Sequence, residues 1–393
     1  MSKTERTLIT VFLLLCMVFL SSVFAVQGSL LSTMIDHFQL DAARQGTANT
    51  MAFAGGIVAL VSAFALQGRW KKRTLLKAAI LTCAAGLVLM WLAPNYGLYV
   101  AAWFITGFGL GLMDTLLSAC MADLYSGKQA VTMMCILHTA YGLSSVFSPM
   151  AYAWLLSASI PWKRIYLLIA AVGTMIVLCA LVIRRLRRME DPEQLAQQTI
   201  SLRGILPALS KGRLLWLVAA IFFHGIFLSG LNTWINRYAD TLPGNIAIPA
   251  QSCVFLGLML SRLLMPFLPV KTEKYVVAGG LLGGIALVIG LLFPNGWILR
   301  GMLILSSLLF GALIPCVITL ACERQRSNTL LATTGIMLML YLGQAVSSPL
   351  IAMLESAIHL QAGMFLCAAC MVICSICCAA DKQNEGRAIS SGN

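Results

Sequence analysis

The amino-acid sequence predicts an all-α membrane protein with twelve transmembrane helices, arranged as two six-helix, pseudo-symmetric halves. The first observation is composition, since the 393 residues are 60% hydrophobic and only 10% charged. A soluble domain is about 25% charged, and a mean hydropathy of +0.88 is too high for one globular core in water. The second observation is the spacing of the basic residues, and the third is an internal repeat. Together they divide the chain into two matching sets of six helices.

Twelve apolar runs are long enough to cross a bilayer, which requires about 20 residues. These runs occupy residues 7–35, 43–67, 75–94, 98–124, 130–157, 163–183, 214–237, 247–269, 275–293, 297–322, 329–356 and 362–380. Runs well above this length indicate helices that tilt or protrude from the membrane. The first run is too long for a cleaved signal peptide and further spans follow it, so we expect it to remain as the first helix.

The distribution of lysine and arginine predicts the orientation of the spans. If the N-terminus lies in the cytoplasm and the spans alternate, all but six of the 27 basic residues fall on inner segments. The six exceptions are Arg44, Lys163, Arg164, Arg237, Arg262 and Arg300. We therefore expect both termini in the cytoplasm and the protein in the inner membrane of a prokaryote. The net charge of +13 then suits anionic lipid headgroups and does not indicate nucleic-acid binding.

The longest polar segment, residues 184–213, predicts a cytoplasmic linker between two halves. The N-terminal half is expected at 1–183, the C-terminal half at 214–380 and a cytoplasmic tail at 381–393. A shift of 200 residues places "GLMDTLLSACMAD" (111–123) on "GALIPCVITLACE" (311–323), and "AYGLSSVFSPM" (140–150) on "LYLGQAVSSPL" (340–350). Two repeated halves joined by an inner linker are typical of secondary transporters that work by alternating access.

Several short motifs resemble the fucose-permease-like branch of the major facilitator superfamily. They are "GLGLMD" in the fourth helix, "CILHTAYGLSSVFSP" in the fifth, "WINRY" in the seventh and "FLGLMLSRLLMPF" in the eighth. The resemblance covers about residues 7–380 and implies proton-coupled uptake of a small polar solute such as a sugar. In "ALQGRWKKR", which follows helix 2, Gly68 and Lys71 replace the Asp and the second Gly of the family's loop motif, so its charged latch is altered.

Asp114 is the candidate proton-coupling residue. A charge in the middle of a spanning helix costs about 2.5–3.5 kcal/mol, so such residues usually face a water-filled cavity or a partner. Counted at about 1.5 Å per residue, Asp114 lies about 16 Å from the inner surface, and His138 and Tyr141 on the next helix lie about 12 and 16 Å from it. We therefore expect Asp114 to face the central cavity, with His138 as a second proton-coupling candidate and Tyr141 as a substrate contact. A structural hydrogen bond is the alternative role for each.

Other polar residues within the spans are candidates for substrate binding, because amides and aromatic rings can bind hydroxylated solutes. They are Gln27, His224, Asn232, Tyr341 and Gln344. Arg262 is a candidate gate residue or counter-charge for Asp114, and the alternatives are an anion site or an arginine that snorkels to the surface. Trp234, Asn236 and Tyr238 are predicted to lie in the outer aromatic belt.

The remaining motifs predict neither an enzyme nor a cofactor site. Cys367, Cys370, Cys374 and Cys377 form one helical stripe, where we expect packing and no metal. No phosphate-binding Gly-rich loop appears, so ATP hydrolysis is not expected and a proton gradient would supply the driving force. We expect a monomer whose partners are a small-molecule substrate and membrane lipids. The alternatives are a proton-antiport exporter of lipophilic compounds and an uncoupled facilitator or lipid flippase. The 20 methionines agree with these alternatives, since a Met-rich apolar cavity would suit a lipophilic solute.

Overall fold

The computed structural model of the chain describes residues 3–66, 72–125, 127–182, 214–244, 246–267, 270–324 and 329–390. The chain divides into two units, Met1–Leu40 with Thr47–Thr199 and Asp41–Gly46 with Ile200–Asn393. The predicted linker 184–213 lies outside the described residues, as do Gly68 and Lys71 of the altered loop motif.

Both units are built from helices. Those of the first unit are α1 (Lys3–Ser29), α2 (Leu31–Phe38), α4 (Thr47–Leu66), α5 (Lys72–Leu92), α6 (Tyr96–Leu124), α7 (Gly127–Ser157) and α8 (Trp162–Val182). Those of the second unit are α3 (Ala42–Gln45), α9 (Leu215–Asp240), α10 (Ala250–Leu264), α11 (Thr272–Leu292), α12 (Gly296–Phe310), α13 (Leu313–Arg324), α14 (Thr329–Ala357) and α15 (Leu360–Ser390). A short 3-10 helix, Met265–Phe267, follows α10.

The two units share one order of helix packing. In the first unit, α4 and α5 pack on α6, α1 packs on α7 and α8, and α5 packs on α8. In the second unit, α10 and α11 pack on α12, α9 packs on α14 and α15, and α11 packs on α15. The repeat seen in the sequence at a shift of 200 residues therefore corresponds to a repeated packing pattern.

Close helix crossings depend on residues without side chains. A Cβ atom on Gly107 of α6 would overlap the carbonyl oxygen of Ala52 in α4. In the second unit, a Cβ atom on Gly343 of α14 would overlap the carbonyl oxygen of Phe222 in α9. Small residues at such crossings are the usual way in which membrane helices gain packing contacts, because lipid tails provide no hydrophobic drive for helix association.

The helices agree with the predicted spans in position and in character. Every predicted span coincides with a helix or with two consecutive helices. Within the described part of the chain, nine helical stretches are long and apolar enough to cross a membrane, and Thr47–Ser62 and Ala250–Leu264 are shorter apolar helices. The described residues thus form an all-α, multi-pass membrane protein.

Several predicted spans differ from the helices, and 43–67 is divided at Gly46 between α3 and α4. The first, 7–35, is interrupted at Leu30, whose backbone angles of φ −107° and ψ 6° lie between the helical and extended regions. The last, 362–380, continues as α15 to Ser390. Its extension "DKQNEGRAIS" contains Lys, Gln, Glu and Arg, which are good helix formers although they are polar.

A further predicted span, 297–322, is broken in its interior, between α12 and α13. The break falls at Gly311 and Ala312, and Pro315 follows it. Proline has no backbone N–H, so the carbonyl of Gly311, four residues earlier, has no helical hydrogen-bond donor. The missing donor contributes to the interruption, but a proline alone does not break a helix here, since Pro149 of α7 and Pro349 of α14 lie inside continuous helices.

Candidate functional site

Asp114 lies half-buried on α6, within the span Tyr96–Met121. It stands ten residues before the end of α6 at Leu124, which is about 15 Å along the helix. Gly107, seven residues earlier, packs against α4, and residues seven apart lie on the same side of a helix. Asp114 is therefore positioned on the side of α6 that is nearest to α4.

His138 and Tyr141 lie on α7 and are both half-buried. The backbone carbonyl of Tyr141 accepts a hydrogen bond of 2.8 Å from Ser21 Oγ on α1. Ser21 Oγ also lies 2.6 Å from Ser145 Oγ, one turn further along α7. These bonds fix α7 against α1, and α6 contacts α7 as well. A shared polar layer of Asp114, His138 and Tyr141 stays a prediction.

Gln27 lies near the end of α1 and is only 7% exposed. Both its amide nitrogen and its amide oxygen are buried without a hydrogen-bond partner in the described part of the chain. A buried polar group without a partner costs about 1–3 kcal/mol. The amide is thus available to a water molecule or to a bound solute.

Asn232 belongs to a network of buried amides in the second unit. Its Oδ1 accepts a hydrogen bond of 2.7 Å from Gln251 Nε2 on α10, and Gln251 is 0% exposed. Asn236 Nδ2 donates to Gln251 Oε1 at 3.2 Å, and the backbone N–H of Gln251 donates to Asn236 Oδ1 at 2.9 Å. Gln251 was not identified from the sequence, although a glutamine at the start of an apolar helix is a signal that could have identified it.

The assignment of Trp234 and Tyr238 to an outer aromatic belt is wrong. Trp234 is 0% exposed and Tyr238 is 4% exposed, so neither ring faces lipid. The indole Nε1–H of Trp234 donates to Ser348 Oγ at 3.1 Å across the contact of α9 with α14. The predicted substrate contacts Tyr341 and Gln344 are also buried on α14.

An ion pair of α9 and α14 lies close to Trp234. Arg237 Nη2 is 2.7 Å from Glu355 Oε1, and Arg237 Nη1 donates to Gln45 Oε1 of α3 at 2.9 Å. The guanidinium carbon is 5.8 Å from the centre of the Trp234 ring. Glu355 was not identified from the sequence, although an acid in the last turn of an apolar run is a visible signal.

Side chains of α10 and α11 bind the broken backbone between α12 and α13. The N–H of Ala312 donates to Ser261 Oγ at 3.0 Å and to Tyr275 Oη at 3.2 Å, and these two oxygens are 2.8 Å apart. Arg262 Nε–H donates to the Gly311 carbonyl oxygen at 3.3 Å. Arg262, the predicted gate residue, thus contacts the helix break, which Pro315 could have revealed in the sequence.

His224 lies on α9 and is 1% exposed. Its ring centre is 5.6 Å from that of Phe227 and 5.1 Å from that of Phe310, the last residue of α12. Neither Nδ1 nor Nε2 has a hydrogen-bond partner among the residues that the structure describes. The imidazole is therefore enclosed by aromatic rings while its polar atoms stay unsatisfied.

The cysteine stripe of α15 lies in the interior of the second unit. Cys367, Cys370, Cys374 and Cys377 are all buried. A Cβ atom on Gly230 of α9 would lie 2.5 Å from Cys367 Sγ, so this thiol packs directly against the glycine. Small, buried side chains of this kind fill a helix contact.

Comparison with known proteins identifies the family. The family model of the Major Facilitator Superfamily matches residues 13–338 of this chain. Among curated proteins, the chain is similar to Protein TsgA from Salmonella newport (strain SL254) and from Salmonella typhi, each 22% identical over 172 residues. That match covers 44% of this chain and 44% of each relative, so it spans less than half the length of the curated relatives.

Solved transporters share the fold over nearly the whole chain. The E. coli fucose:proton symporter FucP has a TM-score of 0.65 at 18% identity, covering 94% of this chain and 98% of that one. The nucleoside transporter NupG has a TM-score of 0.76 at 13% identity, with coverage of 94% and 98%. A bacterial homolog of the human lysosomal transporter Spinster has a TM-score of 0.75 at 14% identity, with coverage of 98% of both chains. The chain therefore belongs to the Major Facilitator Superfamily and is a membrane transporter.

Proposed function

We propose that this transporter takes up a small polar solute, such as a sugar, together with protons, and that Asp114 carries the proton. Alternating access would expose the Asp114 carboxyl first to one side of the membrane and then to the other. His138, on the neighbouring helix, is the second candidate for proton transfer, because imidazole titrates near neutral pH when unperturbed.

The observation that carries this proposal is the half-buried carboxyl of Asp114 inside a membrane-spanning helix. Ionisable residues at such positions are costly, so they are functional-site candidates by default. The amides and aromatic rings of Gln27, Asn232, Tyr341 and Gln344 support a polar solute, since all four are buried polar residues of membrane helices. The resemblance in fold to a fucose:proton symporter and a nucleoside transporter supports the same class.

The test uses purified protein in lipid vesicles with radiolabelled L-fucose and uridine as probes. Asp114→Asn keeps the size and hydrogen-bonding capacity of the side chain but cannot titrate. We expect this variant to exchange a probe down its gradient at a rate close to wild type, and to lose accumulation driven by an imposed pH gradient or membrane potential. A potential of 100 mV supplies about 2.3 kcal/mol per charge. This corresponds to a gradient of roughly 50-fold, which is large enough to measure.

Asp36→Asn is the matched control, because Asp36 is an exposed acid on α2, outside the span Thr4–Ser29. This control should accumulate the probe like the wild type. If Asp114→Asn still concentrates a probe in response to the pH gradient, another group carries the proton. If acidifying the external medium drives the probe out of the vesicles, the protein is an antiporter. Transport of neither probe would count against a sugar or nucleoside as the solute.

A further inference from the structure

The His224 imidazole combines nearly complete burial with two unsatisfied nitrogens. It is 1% exposed, and no described residue pairs with Nδ1 or Nε2. Each buried polar group without a partner costs about 1–3 kcal/mol. A phenylalanine would occupy the same space beside Phe227 and Phe310 without that cost. Packing alone therefore does not explain a histidine at this position.

The surroundings of His224 define which chemical groups it can bind. Its neighbours Phe227 and Phe310 are aromatic rings, at 5.6 and 5.1 Å between ring centres. The positive charge of Arg262 also acts on the imidazole, and burying an unpaired charge is very costly, so a cationic group is disfavoured here. A neutral imidazole carries one hydrogen-bond donor and one acceptor. The matching partner is a neutral hydroxyl or amide group, which also offers both a donor and an acceptor.

The cover over His224 is next to the helix break. Phe310 is the last residue of α12, and side chains replace the helical partners of the Gly311 carbonyl and the Ala312 N–H that follow it. These side chains belong to α10 and α11, and side-chain contacts can exchange without unwinding a helix. Discontinuous helices of this kind commonly form solute sites in transporters. Phe310 is 0% exposed and packs against Gly280 and Gly283 of α11, so uncovering the imidazole would require the end of α12 to shift at the break.

We propose that His224 binds a neutral hydroxyl- or amide-bearing group of the transported solute, and that Phe310 covers this site in the conformation described here. The inference rests on the proposed function only in requiring a small polar solute, and it does not depend on how protons are coupled. His224 then acts as a specificity residue that selects neutral groups over cationic ones.

The test compares His224→Phe with His224→Gln, measured by thermal unfolding in detergent and by counterflow of L-fucose and uridine in vesicles. His224→Phe removes both nitrogens and fits the aromatic surroundings, so its unfolding temperature should equal or exceed that of the wild type. Its half-saturation concentration for the probe should rise at least about tenfold, equivalent to about 1.4 kcal/mol. His224→Gln keeps a donor and an acceptor and should retain part of the affinity.

Ser307→Ala is the matched control, because Ser307 Oγ is also fully buried without a partner among the described residues of this unit. The hypothetical Cβ atom of Gly257 on α10 would lie 2.7 Å from Ser307 Cβ, which shows that Ser307 faces α10. This variant should keep the wild-type half-saturation concentration. Equal losses in Ser307→Ala and His224→Phe, or wild-type affinity in His224→Phe, would overturn the proposal and leave His224 with at most a bound water.

A second measurement applies even if His224→Phe does not fold. Imidazole ¹⁵N resonances of the wild type can be recorded, and that of His224 is assigned by its absence from His224→Gln. L-fucose or uridine should shift it, and ionic 5-aminolevulinic acid should not. A shift with the ionic probe alone, or with none of the three, would overturn the neutral class. Counterflow and NMR need no proton gradient, so failure of Asp114 to couple protons leaves both results interpretable.

Discussion

The two halves differ at the matched positions Gly111 and Gly311. In the first half, α6 continues through Gly111, whose carbonyl oxygen accepts a 3.0 Å hydrogen bond from Thr115 Oγ1. In the second half, Pro315 occupies the position that corresponds to Thr115, and the helix is broken. The carbonyl oxygen of Gly311 accepts from Arg262 Nε instead, at 3.3 Å. One packing pattern thus contains a continuous helix in one half and a divided helix in the other.

This difference separates two tasks that a carrier must perform. Asp114 lies within the unbroken helix α6, and the corresponding residue in the second half is Ile314, which cannot titrate. The break between α12 and α13 provides a point at which a helix can bend, because Pro315 removes one backbone bond permanently. We infer that the first half is specialised for handling protons and the second for movement around a bound solute.

The largest expected effect comes from moving the proline to the first half. Thr115→Pro removes the helical hydrogen bond of Gly111, and Ser62 stands where the second half has Arg262, so no arginine replaces the lost donor. We expect a loss of about 3 kcal/mol or more in the free energy of unfolding, measured by thermal or denaturant unfolding in detergent. The reverse change, Pro315→Thr, should leave stability equal or higher while slowing transport. Equal tolerance of both changes would remove the contrast between the halves.

The next effect concerns the glycine contacts that the repeat preserves. A Cβ atom on Gly107 would overlap the carbonyl oxygen of Ala52, so Gly107→Ala should lower the free energy of unfolding by about 1–3 kcal/mol. Gly301→Ala is the control, because no atom lies within 4 Å of its added Cβ. Unfolding temperatures of the two variants provide the measurement. Similar values would show that α4 and α6 can separate without cost.

A smaller effect is expected from the arginine that binds the break. Arg262→Met removes the donor to the Gly311 carbonyl, which should cost about 1 kcal/mol of unfolding free energy and alter transport rate more than affinity. Arg262→Lys keeps the charge but has no Nε–H in the same position. If the role is the hydrogen bond, both variants should show similar losses in counterflow rate. Full activity of Arg262→Lys with loss in Arg262→Met would instead indicate a counter-charge.

The smallest effect concerns the pH response of an aromatic contact in the first half. His37, on α2, contacts Trp162 with ring centres 5.2 Å apart. Partial burial, and secondly the charge of Lys163, lower the pKa of His37 below its ordinary value of 6.5. The neutral form therefore stabilises the fold above pH 6.5, and that contribution is lost as pH falls below this value.

His37→Gln cannot titrate, so its unfolding temperature should fall less than that of the wild type when the pH is lowered through this window. The difference in unfolding temperature should be small, because most of the His37 side chain remains exposed and only a small part is buried. An unchanged pH response in the variant would show that other groups determine the acid sensitivity of the protein.

Much of the fold was predictable because each bilayer-spanning helix appears in the sequence as a long run of apolar residues. The repeat around Gly111 and Gly311 could also be read from the sequence, and it corresponds to repeated packing in the structure. The break between α12 and α13 was missed because a single proline barely changes the mean hydropathy of an apolar run. Pro315 was nevertheless visible, and its spacing of four residues from Gly311 identifies the carbonyl that loses its donor.

The candidate site was less predictable, because it depends on which side chains meet between helices. Amides such as Asn232 could be identified as polar residues in spans, but its partner Gln251 is 19 positions away and on another helix. The unsatisfied nitrogens of His224 likewise become visible only when its neighbours are known to be phenylalanines. Trp234 was misplaced because sequence position near a helix end does not reveal which face of the helix is buried.

The decisive experiment measures whether solute entry moves protons through Asp114. Vesicles with wild-type protein, held without a potential or pH gradient, are given L-fucose or uridine while the external pH is recorded. If Asp114 carries the proton, the transported probe should make the external medium more alkaline in the wild type. In Asp114→Asn we expect no pH change, although counterflow of the same probe continues. Probe entry without proton movement in the wild type, or equal proton movement in Asp114→Asn, would contradict the assignment of the proton to this carboxyl.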